Sequence, residues 1–134
     1  MDVYNIIREA HSGIRWLVLL VVVLTLVKLL ITWLGQKKFS KGDSKLTRAT
    51  IGLLDVQFLL GLSLLLYYIL NSLPLASFYY EHAGTNLIAI FVAHIAGKGR
   101  NKPGPIRARN TFFLFLLALL LIAVAITRLP QGWG

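Results

Sequence analysis

The chain contains no cysteine. Disulfides, thiolate metal centres, covalently attached haem and Cys-ligated clusters are all excluded by that absence. Charge is scarce as well. Asp, Glu, Lys and Arg make up 14% of the 134 residues, where a soluble domain carries about 25%. Only five of them are acids, and they are too scattered in sequence to suggest a hard-metal site. There is no glycine-rich phosphate loop, no Ser/His/Asp order and no His-x-x-x-His pair. With no catalytic motif, activity as an enzyme by itself is not expected.

What the chain has in quantity is apolar sequence, 57% of its residues. Runs of roughly 20 apolar residues are long enough to cross a bilayer as helices. The expectation is an all-α integral membrane protein, an antiparallel up-down four-helix bundle forming one domain over 1–134. The helices are expected at about 8–34, 46–70, 79–97 and 110–127, the first preceded by an amphipathic turn or two from about Val3. Gly35 serves as a stop for the first helix, and Ser44 or Thr47 as a cap for the second. Pro103-Gly104-Pro105 breaks any helix in the third connection. Trp16, Trp33, Tyr67, Tyr68, Tyr79 and Tyr80 lie where aromatic rings favour the membrane–water boundary, with Trp133 a further anchor in the tail. Asp2 and Glu9 flank Arg8, and the first apolar run exceeds the roughly 7–15 residues of a signal h-region, so a cleaved signal peptide is not expected.

The net charge of +9 does not indicate nucleic acid. Lys37, Lys38, Lys41, Lys45 and Arg48 cluster after the first span, and Lys98, Arg100, Lys102, Arg107 and Arg109 after the third. The opposite side has Arg8, Arg15 and Arg128. The positive-inside rule then puts segments 36–48 and 98–109 in the cytoplasm and both termini outside, in a bacterial inner (plasma) membrane. The expected partners are the lipid bilayer, whose anionic headgroups such loops attract, and other membrane protein subunits.

That topology brings His11 and His82 to similar depth near the outer face, on different helices. Imidazoles facing each other across a bundle can ligate one haem iron from both sides. At about 100° per residue, His82, Thr85, Ala89 and Ala93 share a stripe of the third helix, small enough for close helix contact or for a flat macrocycle. The matching stripe from His11 is Arg15, Val18, Val22 and Leu29. Arg15 can pair with a haem propionate, Ser12 and Glu81 can orient the imidazoles, and Gly13 can admit a ring close to backbone. A blander reading stands beside this one. Histidine is tolerated at a membrane boundary as an amphipathic residue, small stripes pack helices in any membrane bundle, and Arg15 can snorkel to the surface.

Lys28, Asp55 and His94 form a second polar cluster, in the inner half of the spans and with Gln57 slightly deeper. Intramembrane ionisable residues are rare and face protein or water. A Lys28–Asp55 ion pair pinning the first two helices is the favoured arrangement, with His94 bonded to Asp55 or facing the boundary. A proton path or quinone headgroup site is the sharper alternative. His94 lies about 120° around the helix from His82 and cannot serve the same metal.

His11-Ser12-Gly13-Ile14-Arg15-Trp16-Leu17-Val18-Leu19-Leu20, Lys28, Gln57-Phe58-Leu59-Leu60-Gly61-Leu62 and Glu81-His82 together resemble a family of small bacterial four-helix membrane proteins labelled cytochrome-b-like. The similarity spans nearly the whole chain on short motifs. It implies a b-type haem, with His11 and His82 as axial ligands and Arg15 in support. The expected function is a small membrane cytochrome b moving single electrons, alone or within a larger redox or photosynthetic complex. The alternatives are a cofactor-free structural accessory subunit and a bacteriochlorophyll-type pigment-binding subunit.

Overall fold

The computed structural model describes residues 2–130 and 132; Met1, Gln131, Gly134 and the expected Trp133 anchor lie outside that range. Four helices, α1 (Val3–Leu34), α2 (Lys41–Leu70), α3 (Ser77–Ala96) and α4 (Gly104–Thr127), account for the secondary structure, and the described residues contain no strand. Side-chain contacts fix the directions. Along α1 and α2, Tyr4 meets Tyr68, Thr25 meets Thr50 and Thr32 meets Asp43. Along α3 and α4, His82 meets Ala125 and Ala96 meets Thr111. Within each pair one number rises as the other falls, so the pairs are antiparallel. The bundle closes through α1–α4 and α2–α3 contacts, the latter the sparser seam.

The helix ends follow local chemistry. Asp2 caps α1 by accepting from the Asn5 amide at 2.8 Å. At the other end Gly35 is the cap residue, and the left-handed position falls on Gln36, φ 52°. The Gln36 and Lys37 amides bond back to Trp33 and Thr32, which closes a Schellman motif. The same pattern ends α2, with Ser72 at φ 54°.

Two starts differ from expectation. α2 begins at Lys41, capped by Ser40 rather than by Ser44 or Thr47: Ser40 Oγ accepts from the Asp43 amide and Asp43 accepts from the Ser40 amide. That capping box turns residues 41–45 from loop into helix. α4 begins at Gly104, not near 110, because proline in a first turn is pre-organised for helix rather than breaking it. A Cβ on Gly104 would stand 2.8 Å from the Lys37 carbonyl and the Phe39 amide, so this residue alone lets α4 abut the α1–α2 connection.

The interior is small and partly hydroxylic. Ala89, Ala93, Ala96, Ala108, Ala118, Thr25, Thr32, Thr50 and Thr111 are all buried. Thr25 and Thr50 share a hydrogen bond at 2.8 Å across the α1–α2 contact. Leu26, Leu29, Leu54 and Phe115 share that interior, but many large apolar side chains point outward: Trp16, Leu20, Leu24, Phe91, Phe113 and Leu120 are about half exposed or more. Water would penalise that arrangement, whereas helices in lipid pack through small residues and hydroxyls. Among the described residues α1, α2 and α4 are long and apolar enough to cross a membrane. α3, with 20 residues, is diluted by Glu81, His82, Asn86 and His94.

Candidate functional site: a cavity between two imidazoles

At the end of the bundle that carries Tyr4 and Tyr68, the four helices separate around a cavity of about 390 Å³. Its size lies at the lower end of the range for small-molecule sites, about 300–1,000 Å³. His11 and Arg15 from α1 and His82 from α3 all line it, so the structure brings the three expected site residues together. Ser12 lines it too, as do Gln57, Gly61 and Asn86. The rest of the wall is mostly leucine and isoleucine.

Each imidazole is held differently. His82 Nδ1 lies 2.9 Å from the Ala125 main-chain carbonyl. That carbonyl is in the last turn of α4, where helix oxygens lose their intrahelical partners. A carbonyl only accepts, so Nδ1 carries a proton and donates, and in the neutral ring the lone pair is on Nε2. A ring fixed in this tautomer is ready to ligate a metal through Nε2. The His11 ring lies against α2. A Cβ built on Gly61 would stand 3.0 Å from His11 Cε1, so the missing side chain is what admits the ring. One turn before Gly61, Gln57 Nε2 donates to the His11 main-chain carbonyl at 2.7 Å. His11 Nδ1 and Gln57 Oε1 are enclosed without a hydrogen-bond partner among the described residues.

Several sequence expectations are corrected at this point. Glu81 does not orient His82; one residue further round the helix, it faces outward and pairs with Arg128 at 3.3 Å. Gly13 has no neighbour within 4 Å of a built Cβ, and the close approach occurs at Gly61 instead. The Ala89–Ala93 part of the small stripe is buried in helix packing, while the cavity opens beside Ala83, Asn86 and Ile90.

The second polar cluster divides in two. Lys28 does not pair with Asp55. It pairs with Asp43 at 2.8 Å, because the early start of α2 swings Asp43 onto α1. Asp43 is fully buried and also accepts from Thr32 Oγ1 and the Ser40 amide. Asp55 takes His94 instead, at 2.8 Å across the α2–α3 seam, where both side chains are partly exposed. Neither residue lines the cavity.

Tyr4, Arg8, Tyr68, Tyr79 and Asn86 also stand on the cavity wall, a place that the sequence did not assign them: Tyr68 and Tyr79 read only as boundary aromatics and Arg8 only as an outer charge. The one signal for the first two was their spacing from His11 along α1, with Arg8 three residues before it and Tyr4 a further turn back. Searches of family models, curated proteins and solved structures return no match to this chain.

Proposed function

We propose that the chain is an integral membrane b-type cytochrome that carries single electrons through one haem held between His11 and His82. The observation that carries this reading is the pair of imidazoles, from α1 and α3, opening on one cavity, with His82 already in the metal-binding tautomer. Two imidazoles are too few for a structural zinc, which takes four protein ligands. They match haem iron, whose macrocycle fills the other four positions. Bound haem supplies a one-electron iron couple. The chain's own part is to orient both rings, through the Ala125 carbonyl and the Gly61 surface, and to enclose the ring plane in apolar side chains.

The test is an oxidised-versus-reduced absorption spectrum of the purified protein, with pigment extraction from the same sample. A sharpened reduced band with extractable haem b is the expected result. Extractable chlorophyll would move the reading to a pigment-binding subunit, and a colourless protein would leave a structural subunit.

The proposed setting is a bacterial inner membrane crossed by all four helices. α3 spans about 30 Å at 1.5 Å per residue, the thickness of the hydrocarbon core. The basic ends of α2 and α4 and the segment between α3 and α4 face the cytoplasm, which places the cavity near the outer face. A cysteine replacing the exposed Lys38 is expected to resist an impermeant thiol reagent in intact cells, and one replacing Leu73 to react. The reverse labelling pattern would invert this orientation.

A further inference from the structure

Glu81 stands outside the histidine cavity, and with Arg128 it heads a second concavity on the outward surface of the bundle. This is an open groove of about 500 Å³ between α3 and α4, lined by Glu81, Gly84, Thr85, Ile88, Val124 and Arg128. The four residues from α3 recur at helical spacing and form one stripe, and Val124 and Arg128, four residues apart, form the facing stripe of α4. The two helices are antiparallel, so both charges fall at one end of the groove. That end is the one on which the histidine cavity opens, at a bilayer surface in the proposed orientation. Below the charges the groove is apolar. Gly84 supplies no side chain, and a Cβ built on it meets nothing within 4 Å. Ile88 and Val124 flank the space, each more than half exposed. From Glu81 to Ile88 the groove runs about 10 Å along the helix, most of the depth of a leaflet of roughly 15 Å.

Glu81 and Arg128 are 3.3 Å apart and each is about half exposed. An exposed pair of this kind is weakly held, so either member can take another partner. Among the described residues no other charged side chain lines the groove. One anion beside one cation, above an apolar slot that faces lipid, is the complement of a zwitterion carrying an alkyl chain. We infer that the groove binds a phospholipid whose headgroup joins a phosphate to a primary ammonium. Arg128 donates charge-assisted hydrogen bonds to the phosphate. Glu81 accepts from the ammonium, which has three N–H donors as lysine does. One acyl chain lies over Gly84, between Ile88 and Val124. Two other lipid classes fit less well. The quaternary ammonium of a choline headgroup has no N–H to donate to Glu81. A glycerol headgroup satisfies Arg128 but brings its negative phosphate beside the Glu81 carboxylate with no cation between them. The groove is separate from the cavity, and its ligand does not depend on what the two imidazoles hold.

The experiment is native mass spectrometry of the purified full chain in detergent micelles, titrated separately with dioleoyl phosphatidylethanolamine, phosphatidylcholine and phosphatidylglycerol. The basic segments at the opposite end of the bundle also attract anionic headgroups, so each variant is compared with wild type lipid by lipid. Wild type is expected to bind phosphatidylethanolamine about fivefold more tightly than phosphatidylcholine, the scale of one exposed charge contact. Glu81→Gln should remove that advantage by weakening phosphatidylethanolamine alone, with no loss for phosphatidylglycerol. Gly84→Leu, which fills the slot and keeps both charges, should remove it too. Equal affinity of wild type for phosphatidylethanolamine and phosphatidylcholine would overturn the inference. So would an advantage that survives either variant, or a fall in all three lipids with Glu81→Gln. Glu81 and Gly84 are both exposed, so neither substitution disturbs the core.

Discussion

His82→Ala is expected to abolish outright the six-coordinate spectrum of the proposed haem. The alanine variant removes one of the two imidazoles that face the cavity and leaves no other histidine on α3 within reach, since His94 sits more than three turns away and bonds to Asp55. It also frees the Ala125 carbonyl near the end of α4, where water or lipid headgroups can satisfy it, so the fold should survive the loss. His94→Ala serves as the control, because His94 does not line the cavity and its pair with Asp55 is partly exposed. The measurement is the reduced absorption spectrum of each variant at equal protein concentration. A normal six-coordinate spectrum in His82→Ala would remove that residue from the iron.

Asp43→Ala is expected to produce the largest loss of stability, about 3 kcal/mol, the lower end of what breaking a buried ion pair costs. The lower end applies because the Lys28 side chain remains 35% exposed while Asp43 is fully buried. One carboxylate does several jobs there. It takes the Lys28 ammonium, accepts from Thr32 and from the Ser40 amide, and completes the cap of α2. Its removal takes the acceptor from the Thr32 hydroxyl and the Ser40 amide, leaves Lys28 only the Thr32 and Ser40 hydroxyls, and loosens the α1–α2 contact. Asp55→Ala, by contrast, deletes half of a partly exposed pair and should cost far less. Unfolding midpoints of the two variants in mixed micelles would separate these cases. Equal midpoints would mean that the buried network does not carry the α1–α2 contact.

Much of this arrangement was legible from the residues. The four apolar runs, the antiparallel order and the place of His11 and His82 at one end of the bundle follow from length and from which ends share a depth. The partner of Lys28 did not, because an expected helix start at about 46 left Asp43 outside α2. The Ser-x-x-Asp spacing from Ser40 to Asp43 was a capping-box variant that would have moved the helix start and supplied the right partner. Pro105 misled in a similar way, since a proline marks a first turn as readily as a break. Other features had little to read. The support for His82 is a main-chain oxygen, which every residue possesses, so nothing at Ala125 could announce it. Gly61 was visible as a glycine inside an apolar run, but the ring it admits comes from another helix.

The alanine and threonine interior has a thermodynamic consequence. A soluble core releases much apolar surface to water when it melts, and its heat capacity of unfolding is correspondingly large. Here helix separation unpacks buried side chains such as Ala93, Leu29 and Phe115 and breaks the Thr25–Thr50 hydrogen bond, but it turns them to lipid rather than water, while the outward leucines and phenylalanines face the same lipid before and after. Separation of these helices within the bilayer therefore carries little heat-capacity change. The stability curve flattens towards a straight line, and the low-temperature arm that brings cold denaturation to water-soluble proteins has almost no driving force left.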